Sequence, residues 1–237
     1  MDFLDVEGPF MTFLEKVVNL LWLNILLIVF SLPVFTAGAA FTAMHYVLYR
    51  MLKNEDGYIF KDFLKAFKRN FKQATKIWIP MLLMGIFLGV DVYFFYMGKV
   101  DISGNFKLLI YFLCFVWALG FAYIFPVLSR YENTTFYTIK NAYMMAVYGF
   151  LKSILMVALI AAPWIAAIFV PNFILMCMIY GFTVPGYLCA TLYDDAFRRF
   201  ELAEREAREA EEAGGSMEAE NTGETGNAVE AEEIKEL

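Results

Sequence analysis

Thirty-three consecutive residues, Val17 to Tyr49, contain no Asp, Glu, Lys or Arg and only one histidine, His45. A bilayer core about 30 Å thick is crossed by about 20 apolar residues in a helix, so this stretch is too long for one crossing. Pro33 interrupts it, because a proline inside a helix removes a backbone donor and clashes with the preceding turn. The stretch therefore predicts two apolar helices joined at Pro33, and it makes lipid the solvent of the chain. Composition agrees: 60% of the residues are hydrophobic and the mean hydropathy is +0.56, above the roughly 45 to 50% apolar content of soluble domains. The fold class is an all-α, polytopic membrane helix bundle.

Further apolar runs occur at about 77–97, 108–128, 150–170 and 173–192, each near the length of one crossing. With the hairpin they give six transmembrane helices. The alternative is five spans with the N-terminus outside, Thr36–Met51, rich in Ala37, Gly38, Ala39, Ala40 and Ala43, being a re-entrant or interfacial helix packed through its small side chains. Arg50, Lys53, Lys61, Lys65, Lys68, Arg69, Lys72 and Lys76 crowd one connection, and Arg130, Lys140 and Lys152 surround another. The positive-inside rule puts both on the cytoplasmic side. Lys99, Asp101 and Lys107, and then Pro171 and Asn172, fall on the outer side. Both termini are then cytoplasmic.

The formal charge of −6 divides unevenly. Residues 201–237 hold thirteen Glu against Arg205, Arg208 and Lys235, so the membrane part, residues 1–200, is basic. Residues 194–212 read as a charged cytoplasmic helix with i, i+4 pairs, Glu201 with Arg205 and Glu204 with Arg208. Residues 213–237 lack the apolar surface to fold and are expected to be a disordered acidic tail.

Between Tyr58 and Lys76 the pattern changes. Phe60, Phe63, Leu64, Phe67 and Phe71 recur at helical spacing, with lysines on the remaining surface. This predicts an amphipathic cytoplasmic helix lying along the leaflet, its rings in the acyl boundary and its lysines on anionic headgroups. Gly57 is expected to end the helix before it. Phe60, Phe63, Phe67, Lys68, Asn70, Phe71 and Lys72 are the candidate partner-docking or membrane-surface residues. A looser echo occupies Phe136–Ala146, where Ile139, Lys140, Tyr143 and Ala146 match Phe67, Lys68, Phe71 and Ala74 at a constant offset, suggesting a repeat of one cytoplasmic helix plus two spans.

The sequence contains no catalytic constellation. One histidine leaves no pair for a metal site, and no nucleotide-binding glycine loop or nucleophile elbow is present. Neither an enzyme nor a cofactor is expected, and no nucleic-acid partner. Cys114, Cys177 and Cys189 lie in apolar segments at spacings that fit neither a disulfide framework nor a metal cluster. The candidate intramembrane polar residues are Asn24, His45 and Asp91, since ionisable and amide groups in spans bond other helices or line a path.

The run SLPVFTAGAAFTAMHYVLYRM at Ser31–Met51, followed by EDGYIFKDFLKAFKRNFKQAT at Glu55–Thr75, resembles the YesL family of bacterial membrane proteins. The resemblance rests on the LPVFT turn, the small-residue helix after it and the GY, DF and NF-QAT pattern, and extends in spacing to about residue 200. It implies a plasma-membrane protein with no known enzymatic role, working beside the permease subunits of a carbohydrate ATP-binding-cassette importer. On that reading Tyr58–Lys76 and Phe136–Ala146 present docking helices to the partner. The rivals are a stand-alone carrier or the permease itself, and an envelope signalling adaptor whose acidic tail is the working part.

Overall fold

A computed structural model of the chain describes residues 9–55, 57–98, 104–170, 172–195 and 197–199, with single positions at 202, 205 and 206. The acidic segment 213–237, most of the charged helix expected over 194–212, and Lys99, Asp101 and Pro171 of the expected outer loops lie outside them. The chain divides into two compact units, Met1–Asp194 and Asp195–Leu237.

The described residues are helical, with no strand. Seven α-helices follow in order: α1 (Pro9–Ser31), α2 (Ala37–Leu52), α3 (Ile59–Tyr96), α4 (Gly104–Arg130), α5 (Thr135–Tyr148), α6 (Phe150–Phe169) and α7 (Phe173–Tyr180). Residues 183–195 are helical and open an eighth helix, α8. By length and composition α1, α3, α4 and α6 can each cross a membrane, and α7 with α8, bent by 54° where they meet, makes a fifth if the pair counts as one span. The expected six spans are thus four to five. α2 is not among them, since its 16 residues give about 24 Å of helix, short of a bilayer core.

The break at Pro33 is where the sequence puts it. A short 3-10 turn at Val34–Thr36 separates α1 from α2, and Thr36 Oγ1 donates to the carbonyls of Phe30 and Pro33, both at 2.6 Å. Trp78 Nε1 reaches from α3 to donate to Val34 O at 2.7 Å, which fastens the turn to α3. Small residues then let α2 lie directly on α3. A Cβ on Gly38 would fall on Trp78 Cβ and stand 3.0 Å from the Ala74 carbonyl. Ala37, Ala39, Ala40 and Ala43 are buried with it.

The helix expected along the leaflet differs in two ways. It is the first half of α3, which runs unbroken for 38 residues through the basic segment, past Pro80 and into the apolar one. That is about 57 Å of helix, too long to belong to either the surface or the span alone. Its phenylalanine stripe also faces protein. Phe63 is completely buried, and Phe30 of α1 packs its ring 5.3 Å from Phe63 and 5.1 Å from Phe67. The core here is formed by Leu20, Leu23 and Leu27 of α1, Met44, Leu48 and Met51 of α2, and Phe63 and Ala66 of α3. The turn from α2 into α3 also departs from expectation: Asn54, at φ 53°, supplies the left-handed residue in place of Gly57, a conformation asparagine tolerates because its side chain bonds locally.

Candidate functional site

On α3 the buried positions Phe63, Ala66, Asn70, Ala74 and Ile77 recur at helical spacing and define the face covered by α1 and α2. The opposite face is basic. Lys61, Lys65, Lys68, Lys72 and Lys76 are all exposed, and their spacing of three to four residues stacks them in one stripe about 22 Å long. Of the expected docking residues, Lys68 and Lys72 are on this stripe and Phe60 is 45% exposed, whereas Phe63 is used up in the core. Phe67 and Phe71 are half-buried. Asn70 is buried and donates to Ala66 O one turn back at 3.1 Å.

The stripe stands on a rigid base because the ends of four helices are tied together beside it. Arg50 of α2 pairs with Asp62 of α3 at 2.7 Å and donates to Glu55 O at 2.7 Å. Arg69 donates to Ser129 O at 3.2 Å and sits over the Tyr46 ring, while Gln73 donates to Asn133 O at 2.7 Å. Asp194 of α8 is the hub: its carboxylate meets Lys53 at 3.1 Å and Arg130 at 3.6 Å, and its side chain is only 6% exposed. Arg130 also stacks on Tyr49, 4.6 Å from the ring centroid. A carboxylate so far from water is stable only when cations and donors replace its hydration. Sequence reasoning missed Asp194 as a structural residue, assigning it to the start of a projecting charged helix. The available signal was an acid at the end of an apolar run, facing cations at the ends of two others.

The three intramembrane candidates are not brought together. Asn24 Nδ2 donates to Met178 O of α7 at 2.7 Å, close to the break between α7 and α8. His45, buried, has Nδ1 3.5 Å from the Tyr193 hydroxyl and borders a cavity of about 30 Å³ with Phe41, Phe121, Phe182 and Cys189. That volume holds a water or two and no larger ligand. Asp91 is half-buried in the apolar half of α3, thirteen residues or about 20 Å beyond Trp78, which is where the hairpin turn stops. Asn24 joins helices, as amide side chains in spans do.

With this geometry in view, the comparisons with known proteins acquire a location. Residues 17–92 match the family model described as "Protein of unknown function, DUF624". The match covers about a third of the 237 residues. It takes in most of α1, the Pro33 turn, α2 and nearly all of α3, which is the hairpin, the core beneath the stripe and the stripe itself. No curated protein and no solved structure matches the chain.

Proposed function

We propose that this chain is a non-catalytic membrane scaffold, an accessory subunit beside the permease of a bacterial carbohydrate importer, whose α3 holds a lysine stripe out of the bilayer for an acidic surface of that assembly. The observation that carries this reading is the continuity of α3 through the end of its basic half. Lys76 borders the apolar half, and the other lysines recede from it along one axis, with Lys61 about 22 Å further out. The Debye length at physiological salt is about 8 Å, so anionic headgroups beside Lys76 attract Lys72 and Lys76 and leave Lys61, Lys65 and Lys68 largely unscreened by lipid. Those three remain open to another polyanionic surface, and on this reading the acidic face of a peripheral or permease subunit supplies it. Steering by such a stripe raises association rates and selects partners more than it adds affinity.

The resemblance to YesL proteins contributes the importer, and the positive-inside rule contributes the orientation: the stripe, the Asp194 hub and both termini on the cytoplasmic side of the plasma membrane. The hairpin of α1 and α2 pairs with the basic half of α3, and its turn stops at Trp78. The test is purification of a tagged copy from native membranes in mild detergent. A permease and a solute-binding protein are expected with it, and Lys61→Glu, Lys65→Glu and Lys68→Glu together are expected to release them without changing the thermal stability of the chain. Recovery as a lone species, with sugar uptake unchanged after deletion of the gene, contradicts the proposal.

A further inference from the structure

The second helix of the suspected repeat, α5, has the opposite outer face from the lysine stripe. Its inner positions Thr138, Ala142, Met145 and Ala146 are at most 1% exposed. The residues turned outward are Phe136, Tyr137, Met144, Val147 and Tyr148, with Lys140 the one cation among them. Val147 and Tyr148 are 72% and 82% exposed, and Leu151, in the first turn of α6, is 81% exposed. An apolar surface of this extent on an isolated helix face marks contact with lipid or protein.

Where α5 lies decides between them. It runs back along α4: Tyr143 Oη donates to Val116 O at 3.4 Å, and Phe150, just past its end, has its ring 6.4 Å from Phe115. Phe115 is fifteen residues from the α4 terminus at Arg130, about 22 Å along a helix that is itself long and apolar enough to span. The turn at Gly149 therefore lies beside the apolar middle of α4, with half-buried Lys152 one turn further on rather than at the cytoplasmic boundary expected for it, and backbone outside regular helix at that depth survives only if its polar groups are satisfied within the protein. Several of them are: Gly149 N donates to Met145 O at 3.0 Å and Ser153 N to Gly149 O at 2.8 Å. The Ser153 hydroxyl lies 2.8 Å from Ala146 O and 3.0 Å from Gly149 O. The Tyr123 hydroxyl stands 2.9 Å from Ser153 Oγ, and Ser153 is completely buried.

We infer that α5 is a re-entrant helix embedded in the bilayer, its outward face of Phe136, Tyr137, Met144, Val147 and Tyr148 in contact with lipid acyl chains. Continuity with the exposed face of α6, a candidate span that opens with Phe150, Leu151, Ile154 and Leu155, commits the occupant to lipid. Lys140, nearer the polar end of α5, snorkels toward the headgroups. The sequence expectation of a cytoplasmic docking helix at Phe136–Ala146 gives way to this.

The experiment uses the full chain, its three cysteines replaced by alanine, reconstituted alone in phosphatidylcholine vesicles. Bimane is attached at Val147→Cys, Tyr148→Cys or, as the aqueous reference, Lys65→Cys. At 147 and 148 a nitroxide acyl-chain lipid is expected to quench at least threefold more than aqueous iodide does, and at 65 the order reverses. Iodide quenching at 148 equal to that at 65 overturns the inference, and so does quenching by neither agent, which means that another copy of the chain covers the face. Val147 and Tyr148 are separate reporters, so the test survives if one variant fails to fold.

Discussion

Replacing Phe63 by alanine separates a buried core from a lipid-facing stripe. Phe63 has no exposed surface, and its ring packs 5.3 Å from that of Phe30 and 6.3 Å from that of Phe67. Truncating a buried phenylalanine costs about 3 to 5 kcal/mol in lost contacts and cavity formation. On a helix resting in the leaflet the same change would exchange ring–acyl contacts for acyl contacts, at under about 1 kcal/mol, because lipid fills the space. Phe60, three residues earlier and 45% exposed, is the internal control, with an expected cost of about 1 kcal/mol for the half of its surface that is buried. At roughly 2 to 4 °C per kcal/mol for a chain of this size, Phe63→Ala should lower Tm by about 10 °C and Phe60→Ala by about 3 °C. The assay is thermal unfolding in detergent followed by a fluorogenic maleimide, since Cys177 and Cys189 are buried and free. A Phe63→Ala midpoint no lower than that of Phe60→Ala refutes the reasoning.

Gly38→Val is expected to separate α2 from α3, because the new Cβ meets Trp78 and the Ala74 carbonyl, with a loss of more than about 2 kcal/mol in the same assay. Trp78→Phe keeps most of the ring but removes the donor to Val34 O, for a loss of about 1 kcal/mol. Asp194→Asn leaves Lys53 and Arg130 facing each other without the carboxylate between them. Breaking a buried pair of this kind costs about 3 to 5 kcal/mol, and Asp194→Glu should recover part of the midpoint.

The features legible in the sequence were those fixed by length and by the position of charge. Pro33 marks a helix break and the C-terminal end of α1, and the apolar runs locate α4 and α6 to within a few residues, because lipid imposes a minimum length and excludes charge; α1 itself begins eight residues before the charge-free stretch does. The continuity of α3 was not legible from the same cues. Charge shows where water is, and the change at Lys76 looks like a boundary between elements. Yet no glycine or proline stands between Ile59 and Ile79, so nothing in the backbone stops the helix there. Periodicity likewise showed that one face of Tyr58–Lys76 is apolar without showing what covers it, and Phe30, more than thirty residues away, turns out to be the cover. The hub at Asp194 depends on α2, α4 and α8 meeting, which spacing along one segment does not encode.

The most direct test is the distance along α3. Spin labels at Lys65→Cys and Phe94→Cys, in the cysteine-free chain in lipid nanodiscs, fall on nearly the same face 29 residues apart, so one uninterrupted helix places them about 43 Å apart. A pulsed dipolar distance near that value is expected. A surface helix turning into a span at Ile77 at about a right angle would bring the labels to about 31 Å, and that result would contradict the single rod on which the lysine stripe depends.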